Sequence, residues 1–209
     1  MHKMIIVLLL SAFLSGCLDM DLEMTILDDG TVETTMVQKM ARQLYELTPD
    51  VQKQFCTEEG AIKTVDEETV FCTLFASTTL AAISEANRGE ADDMGMAQAI
   101  RIERLGDRRV KLIFPLDLSE FKEKMESLPS PEPRGPSPVD APSPEQMQEV
   151  MRVAFAGHSI VLMIIAQEVL TTNGQIENAG KTAKLVIPVT DLLSGSPELP
   201  DRFVAELRY

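Results

Sequence analysis

The stretch that decides the fold is residues 19–37, DMDLEMTILDDGTVETTMV. In its first half the apolar residues at positions 20, 22, 24 and 26 alternate with polar ones, which is the period of a β-strand with one buried face. Asp28-Asp29-Gly30 is a turn signal, and the alternation resumes from Thr31. We therefore predict a β-hairpin that packs one face against a core.

Outside this hairpin, the hydrophobic periodicity switches between strand and helix. Strands are predicted at residues 70–76, 100–104, 109–114, 160–169, 184–188 and 203–207, with turns at residues 105–108 and 173–174. Helices are predicted at residues 41–55, with a break near Thr48-Pro49, and at residues 78–87, 117–128 and 144–157. These elements predict an α+β fold, an antiparallel sheet built from hairpins with helices packed on one face.

A proline-rich stretch interrupts this predicted domain. Residues 129–144 contain seven of the 12 prolines, and such a segment cannot form regular structure. The capping box Ser143-Pro144-Glu145-Gln146 then starts the last predicted helix. We therefore divide the chain into a signal peptide (residues 1–16), the first part of the α+β domain (17–128), a Pro-rich loop or linker (129–143), and the helix and closing strands of the same domain (144–209).

The amino-terminal segment predicts export and lipidation. A short basic start with Lys3 precedes an apolar run over residues 5–14, too short to span a bilayer. The sequence Leu14-Ser15-Gly16-Cys17 resembles the lipobox of bacterial lipoproteins. This resemblance implies a diacylglycerol on the thiol of Cys17, cleavage after Gly16 and, as a rule, acylation (palmitate being typical) of the new amine. An ordinary secretory signal that happens to contain a cysteine is the alternative.

The lipobox also predicts a location. Two or three acyl chains give stable anchoring, whereas one chain is marginal. Leu18 follows the lipid-bearing cysteine, where an aspartate would signal retention at the inner membrane in enteric bacteria. We therefore expect a lipid-anchored protein of the cell envelope, on the periplasmic face of the outer membrane if the host is Gram-negative.

The remaining cysteines, Cys56 and Cys72, are predicted to form a disulfide. Thiols are oxidised beyond the inner membrane, and these two are the only pair available. A bridge closing this loop would stabilise the fold by about 3 kcal/mol. Two buried free thiols are the alternative.

Charge and composition exclude several classes of function. The net charge is −14, and removal of Lys3 with the signal peptide makes it one unit more negative. A field of this sign repels phosphate backbones, which argues against nucleic acid as a partner. The mature chain keeps one histidine, His158, so a zinc site lacks ligands. No metal and no cofactor is predicted, and no catalytic motif is present.

A cationic cluster stands out in this acidic chain. It comprises five residues within eleven positions: Arg101, Arg104, Arg108, Arg109 and Lys111. The cluster is a candidate contact for an anionic headgroup or glycan phosphate. The alternative is the solvated face of a hairpin, paired with Glu103, Asp107 or other acidic neighbours.

Three other features have structural explanations that compete with functional ones. His158, between a helix end and a strand, is predicted to be structural or capping. The acidic residues 90–93 lack the ligand pattern of a calcium loop. Met147 and Met151 fit either core packing or a groove for a ligand.

Two sequence blocks resemble a known family. The first is residues 17–23, CLDMDLE, followed by residues 27–32, LDDGTV. The second is residues 169–175, VLTTNGQ, with residues 181–188, KTAKLVIP. Both are similar to the start and the closing hairpin of the LppM-type lipoprotein domain. The resemblance implies a membrane-tethered α+β domain associated with envelope lipids or glycolipids, and it implies no catalytic residues. This chain departs from the family where an aromatic residue, usually Trp, would lie near residues 183–185.

These observations favour a non-enzymatic, membrane-anchored envelope lipoprotein that binds a lipid, a glycolipid or another amphiphile. The alternatives are a protein-protein interaction subunit of an envelope complex and, with less support, a periplasmic hydrolase. An enzyme would need a convergent nucleophile, base and oxyanion donor, which one histidine without a serine motif does not suggest.

Overall fold

The computed structural model describes residues 18–47, 52–53, 55–86, 100–116, 152–153, 155–194, 196 and 199–209. The first half of the described chain contains β1 (Leu18–Ile26), β2 (Thr31–Ala41), α1 (Arg42–Leu47), β3 (Ile62–Val65), β4 (Thr69–Thr79) and α2 (Leu80–Ala86). The second half contains β5 (Arg101–Gly106), β6 (Arg109–Pro115), β7 (Ser159–Ile165), β8 (Glu168–Thr172), β9 (Gln175–Glu177), β10 (Thr182–Pro188), α3 (Val189–Ser194) and β11 (Arg202–Arg208).

The strands form two sheets. A seven-stranded sheet has the order β3-β4-β2-β1-β7-β10-β9, and a four-stranded sheet has the order β5-β6-β11-β8. The strand β1 lies in the middle of the larger sheet, antiparallel to β2 and parallel to β7. The fold is therefore sheet-rich, with short helices in the described part of the chain.

The face of the larger sheet that carries the apolar residues of β1 is called the inner face. Four residues are buried there: Met24 and Ile26 of β1, Val32 of β2 and Ile164 of β7. They pack in one cluster with the apolar face of the smaller sheet, including Leu112, Phe203 and Leu207, three residues without solvent exposure. Burial of these two apolar faces against each other is the main source of stability.

The larger sheet has two distinct ends. At the near end, β1 begins at Leu18, beside Met40 of β2 and close to the start of β7. At the far end, the turn at residues 28–30 joins β1 to β2, and the amide of Leu80 donates to the carbonyl of Gly30 (3.0 Å). We keep the terms near end and far end for these two regions.

The strand predictions hold with shifted boundaries. The hairpins at residues 19–37 and 100–114 are confirmed, and so is the turn at Asn173-Gly174. The segment 160–169 divides into β7 and β8, which belong to different sheets. Residues 62–65 and 175–177 are strands that the sequence did not predict, and β2 replaces the expected start of a helix at Ala41.

The predicted fold class holds only loosely. The sequence predicted a single antiparallel sheet, but the structure has two sheets. The larger one includes the parallel pair β1 and β7. Since a sheet buries its apolar face against any apolar layer, the smaller sheet takes the position that was expected for helices. The predicted helix at residues 117–128, the Pro-rich stretch and most of the helix at 144–157 lie outside the described residues.

Candidate functional site

Arg108 of the cationic cluster connects the two sheets at the far end. Its guanidinium donates to the carbonyl oxygen of Asp28 and lies 3.7 Å from the Asp28 carboxylate. The same guanidinium lies 5.7 Å from the ring centroid of Tyr209, a cation–π distance. The amide of Tyr209 in turn donates to the carbonyl of Arg108 (3.1 Å). Arg108 therefore joins the β1–β2 turn to the β5–β6 turn.

Two further cations of the cluster pair with carboxylates on the smaller sheet. Arg109 bonds Glu206 on β11, and Lys111 lies 3.1 Å from Glu103 on β5. Lys111 is directly opposite Glu103, and Arg109 is diagonal to Glu206, so these groups form cross-strand ion pairs on one face of the smaller sheet. Arg101 and Arg104 are exposed on β5. The contacts of three of the five residues thus support the alternative interpretation, a solvated face paired with acidic neighbours.

His158 lies at the near end, beside the start of β1. Its Nδ1 is 3.3 Å from Oδ1 of Asp19, and the same oxygen accepts the amide hydrogen of Ser159 (2.8 Å). The carbonyl of His158 accepts the amide of Val189 (3.0 Å). These contacts join β1, β7 and α3, which is the structural role expected for this histidine.

Asp29 shapes the turn of the first hairpin. Its Oδ1 accepts the amide hydrogen of Thr31 (2.8 Å). This bond, with a second one from the Thr31 hydroxyl, lowers the pKa of the Asp29 carboxyl below its ordinary value, because both favour the charged form. The next residue, Gly30, has φ +83, and a Cβ there would lie 3.4 Å from the Tyr209 ring. A glycine at position 30 therefore allows both the positive φ of the turn and its close approach to the Tyr209 ring.

The predicted disulfide is confirmed. Cys56 and Cys72 are bridged, with 5.3 Å between their Cα atoms. Cys72 lies on β4, is fully buried and packs with Met40, Val70 and Phe55 in a second, smaller cluster at the near end. The bridge holds the segment around Phe55 against this end of the inner face.

An apolar row crosses the inner face in contact with the large cluster. It runs over five neighbouring strands, from β4 to β10, because its members are directly paired in register: Leu74, Met36, Leu22, Leu162 and Leu185. Leu162 is buried as part of the large cluster, and the other four side chains are half-buried. Three of those four, Leu22, Met36 and Leu185, pack against that cluster. We call this set the inner row. Apolar side chains that remain partly accessible on a sheet face can bind an apolar partner.

One buried polar side chain lies beside the inner row. Gln38 is on β2, two residues from Met36, and is directly opposite Met20 on β1 and Cys72 on β4. As a whole residue it is only 8% exposed, but its amide is not a buried group without a partner: among the described residues that atom is Nε of Arg109. The sequence prediction ended the strand at residue 37. Continued alternation over Met36, Gln38 and Met40 was the signal that would have placed Gln38 on the inner face.

The comparisons with known proteins yield one weak likeness. No protein-family model and no curated protein sequence matches the chain. The solved folded domain of LppM from Mycobacterium tuberculosis, determined by NMR, aligns with a TM-score of 0.46 and 15% identity, over 92% of this chain and 90% of that chain. This solved structure is an LppM domain, the type of domain to which the two sequence blocks are similar. A likeness at this level carries no information about ligand or activity.

The other residues singled out in the sequence lie outside the described residues: Cys17, Met147, Met151 and residues 90–93. Within the described ranges, no three His, Cys, Asp or Glu side chains come together as a metal site. No helix among them is long and apolar enough to cross a membrane.

Proposed function

We propose that this chain is a non-enzymatic envelope lipoprotein, anchored through Cys17, whose folded domain binds an amphiphile along the inner row. The Leu14-Ser15-Gly16-Cys17 spacing supports the anchor. The inner row supports the ligand, and it is the observation that carries the proposal.

The dimensions of the inner row suit one acyl chain. Strands of a sheet lie about 4.8 Å apart, so five strands give a row of roughly 19 Å. A bilayer's hydrocarbon core is about 30 Å thick, which leaves roughly 15 Å for the chains of one leaflet. A lipid chain laid across the strands would contact Leu22, Leu162 and Leu185 in succession. Leucine and methionine side chains adapt to such a flexible partner.

The start of β1 sets the position of this row relative to the anchoring membrane. β1 begins at Leu18, the residue after Cys17, and consecutive Cα atoms are only about 3.8 Å apart. The near end would therefore lie at the membrane surface. The far end would lie roughly 30 Å away, because β1 has nine residues at about 3.3 Å each. Arg108, which bonds the far turn, could not reach headgroups of the anchoring bilayer.

This geometry argues against the cationic cluster as the contact for the headgroup of a ligand bound along the inner row. Arg108 is bonded near Asp28, six residues along β1 from Leu22, or roughly 20 Å from the inner row. An anionic headgroup held by Arg108 would thus belong to a surface other than the one that carries the anchor. We therefore place the polar contact of the amphiphile elsewhere on the inner face.

A second candidate function, binding of a protein partner, is favoured by the edge of β4. Within the described residues β3 pairs with β4 only at residues 70–73, which leaves the outer edge of residues 74–79 unpaired. This segment, LFASTT, has no charge, and Phe75 is 63% exposed. Unpaired edges of this kind accept an added strand from another chain.

The anchor is tested by metabolic labelling with a radioactive fatty acid in cells that express the full chain. The wild-type protein should carry label and lack the signal peptide, whereas Cys17→Ser should carry none and remain as precursor. Label that persists in Cys17→Ser would contradict the assignment of Cys17.

The amphiphile site is tested by native mass spectrometry of the intact protein, purified from membranes in mild detergent. We expect retained lipid in the wild type and its loss in Leu185→Ser. Val186→Ser is the matched control, because Val186 is the next residue on β10 and points to the opposite face. Equal retention in both variants, or no lipid in the wild type, would refute the site.

A further inference from the structure

Alternate residues of β4 direct their backbone groups away from β2, toward the outer edge of the larger sheet. The ladder between β4 and β2 is framed by two bonds: the amide of Arg42 donates to the carbonyl of Glu68 (2.7 Å), and the amide of Leu80 donates to that of Gly30 (3.0 Å). Bonded positions alternate along an antiparallel strand, so even positions of β4 bond β2 and odd positions face outward. The carbonyl of Thr69, an odd position, accordingly accepts the amide of the residue that follows β3 (2.9 Å).

Three of these outward positions have no strand partner in the described part of the chain. β3 pairs with β4 only as far as Thr73, which leaves the amides and carbonyls of Phe75, Ser77 and Thr79. No residue of β4 is charged, although the chain has a net charge of −14. Natural edge strands usually carry a charge or a proline that blocks an added strand. This edge has neither, so it is open to pairing.

A second copy of the same edge would use all of these groups. Directly opposite residues must share a face of the joined sheet, so the two-fold axis passes through one residue of β4. With the axis at Ser77, Phe75 lies opposite Thr79 of the second copy, and all three outward positions exchange bonds. With the axis at Ala76, one pair would involve Thr73, which already pairs with β3. The geometry therefore selects Ser77.

Like charge does not prevent this approach. Glu33 on β2 is directly opposite Ser77, so the two copies of Glu33 would lie three strand spacings apart, roughly 14 Å. Charges at that separation are largely screened, since the Debye length is about 8 Å at physiological ionic strength. A single short strand pair buries less area than a standard interface, so the association should be weak and reversible.

We propose that β4 pairs antiparallel with β4 of a second copy of this chain, with Ser77 on the two-fold axis, which joins two seven-stranded sheets into one. This inference rests on the second candidate function and names its partner, and it does not depend on the amphiphile site.

The pairing also fixes the distance between the two anchors. Leu18 is in register with Val70 through Met40, and Val70 is seven residues from Ser77. The two copies of Leu18 would therefore lie at opposite ends of the joined sheet, roughly 46 Å apart along the strands. If each near end lies at its membrane and the strands stand upright, as proposed above, the pair would connect two facing membrane surfaces.

The test is the association of the intact lipoprotein, purified from membranes in mild detergent. Sedimentation velocity up to millimolar concentration should show a reversible dimer for the wild type. Ser77→Pro should weaken dimerisation roughly tenfold or more, because proline removes the outward amide on the axis and leaves the ladder to β2 intact. Ser77→Ala is the matched control, since it keeps this amide, and it should dimerise like the wild type.

A second variant tests the same axis without a change to the backbone. Ser77→Glu places two like charges directly opposite each other in the dimer, so it should also weaken association. Thermal unfolding of dilute samples should give the wild-type melting temperature for Ser77→Glu and Ser77→Ala, because this side chain is exposed. Loss of the dimer without loss of stability separates pairing from a folding defect.

Two outcomes would overturn the inference. A wild type that stays monomeric at millimolar concentration would exclude the second copy and leave a strand of a different protein as the occupant of this edge. Dimers of Ser77→Pro and Ser77→Glu as tight as those of the wild type would place the contact elsewhere.

Vesicles of phosphatidylcholine that carry the intact lipoprotein test the orientation separately. Wild-type vesicles should cluster, as measured by light scattering, and Ser77→Pro vesicles should not. Dimers in detergent without clustering of vesicles would support the pairing and contradict the upright orientation assigned under the proposed function.

Discussion

The two buried clusters of the molecule are held by different means. Residues from both sheets form one large cluster, which extends from Ile26 and Val32 at the far end to Met20 and Ile160 at the near end. At the near end four buried residues, Met40, Phe55, Val70 and Cys72, form a cluster of their own, tied by the bridge from Cys56. The large cluster depends on buried area, and the small cluster depends also on a cross-link.

This difference bears on where a ligand can enter. A core between two sheets is close-packed and resists change. A small cluster held by a disulfide can keep its backbone in place with less side-chain packing. The inner row lies against the large cluster, with Leu162 as a member of it, whereas Gln38 lies opposite Cys72 of the small cluster. Measurements that perturb the two ends separately should reveal the contrast.

Matched phenylalanine substitutions should give the largest contrast. Phe203 has no exposure in the large cluster, whereas Phe55 lies in the small one. We expect Phe203→Ala to lower the free energy of unfolding by about 3–5 kcal/mol, because a cavity opens between two packed sheets. Phe55→Ala should lower it by less, since the bridge remains. Urea denaturation of both variants measures this, and equal losses would show that the two ends are packed alike.

Reduction of the disulfide should have the next largest effect. The bridge spans 16 positions, and its loss should lower the free energy of unfolding by about 3 kcal/mol. Hydrogen exchange should then increase in β3 and at the start of β4, while protection of β6 and β11 stays close to that of the oxidised protein. Uniformly faster exchange in all four strands would mean that the two ends unfold together.

Titration of Asp29 should give the smallest effect, confined to the far end. Because hydrogen bonds from Thr31 lower its pKa in the folded state, the stabilisation by Asp29 is present above the pKa of the unfolded chain. It is lost as the pH falls through the lower folded value. Carbon-detected NMR of the carboxyl should show a pKa below that of an ordinary aspartate, and Thr31→Ala should raise it. An Asp29 pKa at or above the ordinary value would contradict the turn geometry.

The sequence predicted those parts of the fold that local pattern determines. Alternation over residues 19–37 and 100–114 predicted both hairpins. The oxidising compartment expected from the signal peptide predicted the disulfide. It could not predict that Met20 pairs with Ile160 in parallel, because no local pattern encodes a partner that far along the chain. The inner row was hidden for the same reason, as its five residues come from five strands. The contacts of Arg108 could not be predicted, because its partners, Asp28 and Tyr209, are remote in sequence.

The central place of β1 has a consequence for how the chain folds. Its hairpin with β2 can form as soon as residues 18–41 are available, but its other edge waits for β7, whose residues pair with it from Ile160 onward. Non-local pairing of this kind slows folding, because a long loop must close before the contact is gained. Until then the open edge of β1 and the unfilled inner face are exposed to other chains, the situation in which strands aggregate. We expect the pairing of β7 with β1 to limit the rate of refolding. We also expect the yield of refolded protein to depend on protection of the open edge of β1 until β7 has paired.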